Sequence, residues 1–247
     1  MKHLYLTETA EELLSYQRFM AANHAKLEQY LSFLRENYCV TDLPRAVLWT
    51  SCEAATKLIS DIPIPAYTND YRTVFCPDID TWRVIYLKQL DTLAESKAAE
   101  SVSHYYETAL TENHVLQILG HEFVHHSDLF IDEAYDKGIW FEEGMCEYIS
   151  RKYFLTDAQF MDEAGIHALL VEQYQQEYGA HSLDDFGSET YRGDYASIFY
   201  EYWRSFLAVK KIIDRFDGNV MQVFREYHRW HKEADGKNLA EWFHVSV

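Results

Sequence analysis

Apolar residues recur at every third or fourth position in the first part of the chain, which is the spacing of one face of a helix. Within residues 9–37, the positions that carry this pattern are Leu13, Tyr16, Met20, Leu27, Tyr30 and Leu34. Thr9 and Glu12 have the spacing of a capping box, in which two side chains satisfy free backbone N–H groups of the first turn. We therefore predict a long amphipathic helix that begins near Thr9.

Shorter apolar runs follow, and their length and their aromatic and β-branched residues predict strands. The runs cover Ala46–Thr50, 71–76 and 82–88. Residues 77–80, with the sequence Pro-Asp-Ile-Asp, are typical of a turn and are expected to join the last two strands as a hairpin. Residues 91–104 are polar and poorly patterned, so we predict a loop there.

The remainder of the chain is predicted to be helical. The four prolines of the whole chain all lie in its first third, at Pro44, Pro63, Pro65 and Pro77. The remaining two thirds contain none, which favours long helices there. The predicted helices cover 111–130, 140–153, a segment that begins at Thr156 with Gln159 as its capping-box partner, and 194–216. The last of these is apolar on nearly all sides, which is typical of a buried helix. Gly218 is expected to end it, and a final helical region follows.

This order of elements predicts an α+β fold. A small N-terminal mixed sheet with helices, over residues 1–110, precedes a mainly helical subdomain over residues 111–247. The 247 residues suit a single domain built from two such subdomains. Apolar residues make up 48% of the chain, which is enough for a substantial core and argues against disorder.

The composition also restricts the partners that we expect. A formal net charge of −18 repels phosphate backbones, so nucleic acid is not an expected partner. No stretch reaches the roughly 20 apolar residues of a membrane helix, and we expect a soluble cytoplasmic protein with no membrane contact. The four cysteines form no Cys-x-x-Cys pair and are expected to be free thiols: Cys39, Cys52, Cys76 and Cys146.

The segment His121-Glu122-Phe123-Val124-His125 carries the clearest chemistry. On a helix, His121 and His125 project from the same face one turn apart, so both imidazoles can bind one cation. Zinc suits such a pair because it accepts imidazole nitrogen at about 2.0–2.1 Å without a strong geometric preference. Glu122 lies beside the first ligand, where a carboxylate can accept a proton from a metal-bound water. The segment predicts a zinc site with Glu122 as general base.

A catalytic zinc needs a third protein ligand, and a second predicted helix offers one. Glu143 lies 18 residues after His125 and directly before Gly144, in the segment Trp-Phe-Glu-Glu-Gly-Met-Cys-Glu-Tyr. In this arrangement the chain resembles the gluzincin metallopeptidases, a group that includes thermolysin and the zinc aminopeptidases. The resemblance implies that Glu143 is the third zinc ligand. It also implies a zincin-like fold whose active site lies between the two subdomains.

Several nearby acids leave alternatives open. By the same resemblance, Glu147 is expected to orient a zinc-binding histidine, although it can equally be a solvated helix charge. Glu142 is the rival ligand if the helix register differs. Asp128 or Asp132 is a conceivable third ligand, although both are close in sequence to the histidine helix. His126 is rotated away from the ligand face and is expected to be a supporting or surface residue.

A peptidase also needs a donor that stabilises the oxyanion formed when water attacks a carbonyl group. The resemblance implies a tyrosine or histidine downstream of the glutamate ligand. Tyr191 is the first candidate, followed by Tyr195 and then His181. The predicted strand 82–88 is the candidate edge strand for binding a peptide backbone. The Gly-x-Met-Glu-Asn motif of typical aminopeptidases is absent from the sequence.

Taken together, these features predict a zinc metallopeptidase that acts on a peptide or protein. Two other functions remain open. One is a zinc-binding interaction module without catalytic activity, and the other is a helical domain that binds no metal. The sequence does not predict an oligomeric state.

Overall fold

Four short strands form a mixed sheet in the N-terminal part of the chain. The computed structural model describes residues 1–91, 93 and 96–247. The strands are β1 (Lys2–Leu6), β2 (Ala46–Thr50), β3 (Ala66–Thr68) and β4 (Arg72–Phe75). Their order in the sheet is β1-β2-β4-β3; β1, β2 and β4 run parallel, and β3 runs antiparallel to β4. The β3 strand therefore lies at an edge of the sheet.

Helices make up most of the remaining structure. They are α1 (Ala10–Tyr38), α2 (Ile79–Lys88), α3 (Lys97–Thr108), α4 (Glu112–Val124), α5 (Tyr135–Phe154), α6 (Asp157–Tyr178), α7 (Tyr195–Arg215), α8 (Val220–Glu233) and α9 (Leu239–Trp242). Shorter turns are the π-helix Ala54–Ile59 and the 3₁₀ helices Asp132–Ala134, Leu183–Asp185 and Ser188–Arg192. The expected α+β fold, with a small N-terminal mixed sheet and a largely helical remainder, is confirmed.

Capping chemistry fixes the helix starts that were predicted from it. The side chains of Thr9 and Glu12 form a reciprocal capping box at the start of α1. Thr156 and Gln159 form a second box at the start of α6. The predicted strands at Ala46–Thr50 and 71–76 are also confirmed, the second as β4.

The predicted strand over 82–88 is wrong, and so is the hairpin that it would complete. These residues belong to α2. The Asp78 carboxylate accepts hydrogen bonds from the backbone N–H groups of Asp80 and Thr81 and caps the helix N-terminus. Trp82 and Ile85, three residues apart, are both buried. Residues 77–80 therefore form a helix start and not a turn. The apolar residues of 82–88 form the buried face of that helix.

The predicted loop over 91–104 is also wrong from Lys97 onward, where α3 begins. The Ser96 side chain accepts a hydrogen bond from the Ala99 N–H and caps this helix. Residues 92, 94 and 95, which the same prediction covers, lie outside the described residues. The helix predicted over 111–130 is shorter than expected and ends at Val124. The strands β1 and β3 were not predicted.

The packing of α5 against α7 sets the position of the candidate site. The α7 helix is buried along most of its length, as its apolar sequence predicted, and Gly218 follows it with a φ of +80°. Gly144 on α5 faces α7 so closely that an added Cβ would lie 2.4 Å from the Ser205 carbonyl oxygen. Only glycine permits this approach. The glycine after Glu143 therefore has a packing role that places α5.

Among the described residues, every helix is too short or too polar to cross a membrane.

Candidate metal centre

The two histidines of the His-Glu-x-x-His segment face α5 from the end of α4. His121 lies in the last turn of α4, and His125 is the residue that follows the helix. Their Nε2 atoms lie 3.1 Å apart. Two imidazole nitrogens at this distance can bind one cation, because each offers a lone pair when its other nitrogen carries the proton.

Glu143 on α5 supplies a third atom at the same point. Its Oε2 lies 3.1 Å from His121 Nε2 and 3.6 Å from His125 Nε2. This oxygen is buried and accepts no hydrogen bond from any described residue. Ligand atoms that are about 2.0–2.1 Å from a tetrahedral zinc lie about 3.3–3.4 Å from one another. The three atoms therefore have the separations of three corners of a zinc tetrahedron.

Behind each histidine lies another glutamate of α5. Glu142 is hydrogen-bonded to His125, whereas Glu147 is only in ion-pair contact with His121, whose Nδ1 has no hydrogen-bond partner among the described residues. Glu142 Oε1 lies 2.8 Å from His125 Nδ1, and Glu147 Oε1 lies 3.0 Å from His121 Nδ1. A carboxylate beside Nδ1 favours a proton on that nitrogen and leaves Nε2 free to bind a metal. Glu142 therefore supports His125 and does not stand at the convergent point itself. Glu147 is half-buried and paired with His121, so it is not a freely solvated helix charge.

The electrostatics of this cluster favour a cation. Burial lowers the pKa of His125, but Cys146, Glu143 and Glu142 together outweigh burial and raise it well above its ordinary value. Burial raises the pKa of Glu143, but the two histidines outweigh it and lower the pKa far below its ordinary value. The negative groups that raise the pKa of His125 would also attract a metal cation to the same place.

Cys146 is a functional candidate that the sequence reasoning missed. Its thiol lies on α5, and His121, His125 and Cys146 bring ligand atoms within 4.8 Å of one another, as a group that could hold a metal ion. Burial raises the pKa of this thiol to about 12. The signal in the sequence was its position three residues after Glu143, which is one turn along the same helix. His121 and His125 are common to both ligand sets, and Glu143 or Cys146 completes them.

Glu122 faces a cleft of about 360 Å³ beside the two histidines. Burial raises its pKa, and His121 and His125 partly oppose that rise. One wall of the cleft comes from the sheet side and includes Ala66, Tyr67 and Thr68 of β3. The other wall consists of side chains from the helical part, among them Tyr135, Tyr191 and Tyr202. The cleft therefore lies between the edge of the sheet and the helices that carry the histidines.

The three candidate oxyanion donors occupy different positions. The Tyr191 hydroxyl donates to Glu143 Oε1 over 3.1 Å and contacts the Tyr202 hydroxyl at 2.9 Å, so it lies at the candidate metal centre. The Tyr195 hydroxyl donates to the Pro63 carbonyl oxygen. His181 Nε2 lies 2.8 Å from Glu201, beside Arg204. Of the three, only Tyr191 is among the described residues that line the cleft.

The alternative acids lie elsewhere. Asp128 accepts a hydrogen bond from the Thr41 hydroxyl, and Asp132 begins a 3₁₀ turn. Neither is found among the described residues of the cleft wall. His126 lines the cleft, and its Nε2 lies 2.9 Å from the Thr68 hydroxyl of β3. His126 thus connects the end of α4 to the edge of the sheet.

No protein-family model, curated protein or solved structure matches this chain.

Proposed function

We propose that this protein is a zinc-dependent metallopeptidase of the gluzincin type, with a zincin-like catalytic domain. One observation carries the proposal. His121 Nε2, His125 Nε2 and Glu143 Oε2 converge with pairwise distances of 3.1, 3.1 and 3.6 Å beside an open cleft. Two imidazoles, one carboxylate and an accessible fourth position are typical of a catalytic zinc site, whereas structural zinc sites are closed by four protein ligands.

The side chains around this point suit hydrolysis of a peptide bond. When bound, zinc supplies a Lewis acid that lowers the pKa of a coordinated water from 15.7 to about 7. Glu122 accepts the water proton as the water oxygen bonds to the carbonyl carbon. The same carboxyl group then donates the proton to the amine nitrogen as the C–N bond breaks. Tyr191, whose hydroxyl donates to Glu143 beside the cleft, is the proposed oxyanion donor and would redirect that hydrogen bond to the substrate oxygen.

The edge strand β3 offers a binding surface for the substrate backbone. The prediction that residues 82–88 have this role is withdrawn because they form α2. The β3 strand instead lies at the sheet edge and lines the cleft through Ala66, Tyr67 and Thr68. An extended peptide can add to such an edge through main-chain hydrogen bonds. A peptide or protein substrate therefore fits the site.

The proposal is tested by assaying purified protein against a library of quenched fluorescent peptides, with and without a chelator. Hydrolysis that chelation abolishes and added zinc restores is the expected result. Glu122→Gln should reduce turnover by about 100- to 10,000-fold and retain the zinc, because it removes the base and keeps the ligands. Glu112→Gln is the matched control, since Glu112 is exposed in the first turn of the same helix.

Full activity in Glu122→Gln would exclude this mechanism. Bound zinc without cleavage of any peptide would instead support the interaction module.

A further inference from the structure

A stripe of three charged residues runs along α5 at intervals of four: Glu143, Glu147 and Arg151. Residues at this spacing lie one above the other on one side of a helix. The first is the proposed zinc ligand, and the second contacts a zinc-binding histidine. The third lies two turns from the metal centre and is buried, with a relative exposure of 6%.

Arg151 connects two carboxylates through different nitrogens of its guanidinium group. Its Nη1 pairs with Glu147 Oε2, while the other oxygen of that carboxylate, Oε1, faces His121 Nδ1 at 3.0 Å. Its Nε pairs with Glu163 Oε2 on α6 at 2.7 Å. The guanidinium carbon also lies 4.9 Å from the centre of the Phe206 ring on α7. The arginine is therefore fixed by three elements, α5, α6 and α7.

Glu163 also contacts Tyr105 on α3 and His114 on α4. Its Oε1 accepts a hydrogen bond from the Tyr105 hydroxyl over 3.0 Å and lies 3.8 Å from His114 Nε2. Burial raises the pKa of Glu163, but Arg151, His167 and His114 together outweigh burial and lower it to about 2. The continuous chain of contacts runs His121, Glu147, Arg151, Glu163, Tyr105.

The net charge of Glu147, Arg151 and Glu163 determines how strongly Glu147 attracts His121. A single arginine would neutralise Glu147 and weaken its attraction for the Nδ1 proton of His121. Because Glu163 shares the guanidinium, the triad keeps one net negative charge, and Glu147 directs an oxygen at His121. Buried ion pairs are weak evidence for a stabilising role, because desolvation offsets their attraction. Positioning of the metal ligand is a better explanation for this arrangement than stability alone.

We propose that Arg151, backed by Glu163, is a positioning residue of the metal centre that holds Glu147 against His121. This inference rests on the zinc site proposed above. It assigns a role to two residues that do not touch the metal, and it predicts that they determine zinc affinity. Supporting residues of this kind typically change metal affinity by 10–100-fold when they are replaced.

The test measures the zinc dissociation constant by competition with a chromophoric chelator at pH 7. Arg151→Met should weaken zinc binding by about 10–100-fold. Arg151→Lys should recover only part of the loss, because a single ammonium cannot reach both carboxylates as the guanidinium does. Glu163→Gln should weaken binding in the same direction. Arg229→Met is the matched control, because Arg229 pairs with Glu226 and Glu233 on the exposed side of α8.

A double-mutant cycle separates positioning from a general packing effect. If Arg151 acts through Glu147, Arg151→Met should change zinc affinity less than twofold in a Glu147→Gln background. Circular dichroism verifies that each variant is folded. If Arg151→Met is unfolded, Arg151→Lys and Glu163→Gln carry the test. Wild-type affinity in these folded variants would overturn this inference and leave the proposed zinc site standing. Failure of the wild-type protein to bind zinc would remove both.

Discussion

Glu143 Oε2 lies 3.1 Å from His121 Nε2 but accepts no hydrogen bond from any described residue. Leaving a buried carboxylate oxygen without a partner is costly. A shared cation removes this cost, because the oxygen and both Nε2 atoms would bind it. We therefore propose Glu143 as the third zinc ligand, and this assignment can be tested against Cys146.

Glu143→Ala should weaken zinc binding by more than about 100-fold, beyond the 10–100-fold typical of supporting residues. Cys146→Ser should leave the affinity within about fivefold of wild type. Cobalt-substituted protein reports the same difference spectroscopically, because a thiolate ligand adds an intense near-ultraviolet charge-transfer band. A strong band that Cys146→Ser abolishes would establish the cysteine as the ligand in place of Glu143.

Tyr191→Phe should reduce kcat by about 100-fold with zinc content unchanged, because loss of one oxyanion donor typically costs 10²–10³. Tyr195→Phe is the matched control. Its hydroxyl is bonded to the Pro63 carbonyl oxygen, so its removal should leave kcat within twofold of wild type. Equal losses in the two variants would remove the assignment of Tyr191.

The fold could be predicted where local signals and burial agree. The α1 and α6 starts have capping boxes, and α7 is apolar on nearly all sides. The prediction was wrong at α2, where a β-rich composition hid helical spacing of the buried residues Trp82 and Ile85. The β3 strand has only three residues, and its place at the sheet edge depends on pairing with β4. Such pairing is non-local and leaves little trace in sequence periodicity.

The candidate site was predictable to the extent that its residues share helices. His121 with His125, and Glu143 with Glu147, are one turn apart, so their faces follow from helix geometry. The relation between the helices depends on Gly144 and the packing of α5 on α7, which spacing alone does not reveal. For the same reason, the cleft wall from β3 and the links from Arg151 to Glu163 appear only in the structure.

Gly144→Ala should destabilise the protein by roughly 1–3 kcal/mol, as is typical of overpacking in a close contact. Its Cβ would lie 2.4 Å from the Ser205 carbonyl oxygen, which as a backbone atom cannot rotate away. Gly165→Ala on α6 is the control, because among the described residues no heavy atom beyond the neighbouring backbone of its own helix lies within 4 Å of its Cβ position. That substitution should stabilise by about 0.5–1 kcal/mol. Denaturant unfolding measures both, and unchanged stability in Gly144→Ala would contradict the packing role.

His167 should make the protein less stable as the pH falls from 7 to 4.5. Burial lowers the pKa of His167 from 6.5 to about 3; Arg151 adds to this effect, and Glu163 opposes it. Over this interval the unfolded chain takes up the proton and the folded chain does not, so folding loses roughly 2–3 kcal/mol. His167→Gln should remove this part of the pH dependence, whereas His104→Gln, at an exposed position, should not. Identical pH profiles for wild type and His167→Gln would contradict the prediction.

The proposed function depends on one zinc ion bound by His121, His125 and Glu143. The most direct test measures metal content by inductively coupled plasma mass spectrometry. The protein is purified without a metal-affinity tag and equilibrated with micromolar zinc. We expect about one zinc per chain in the wild type and its loss in a His121→Ala, His125→Ala double variant that remains folded. A wild-type protein without bound zinc, or a double variant that retains a full equivalent, would contradict it.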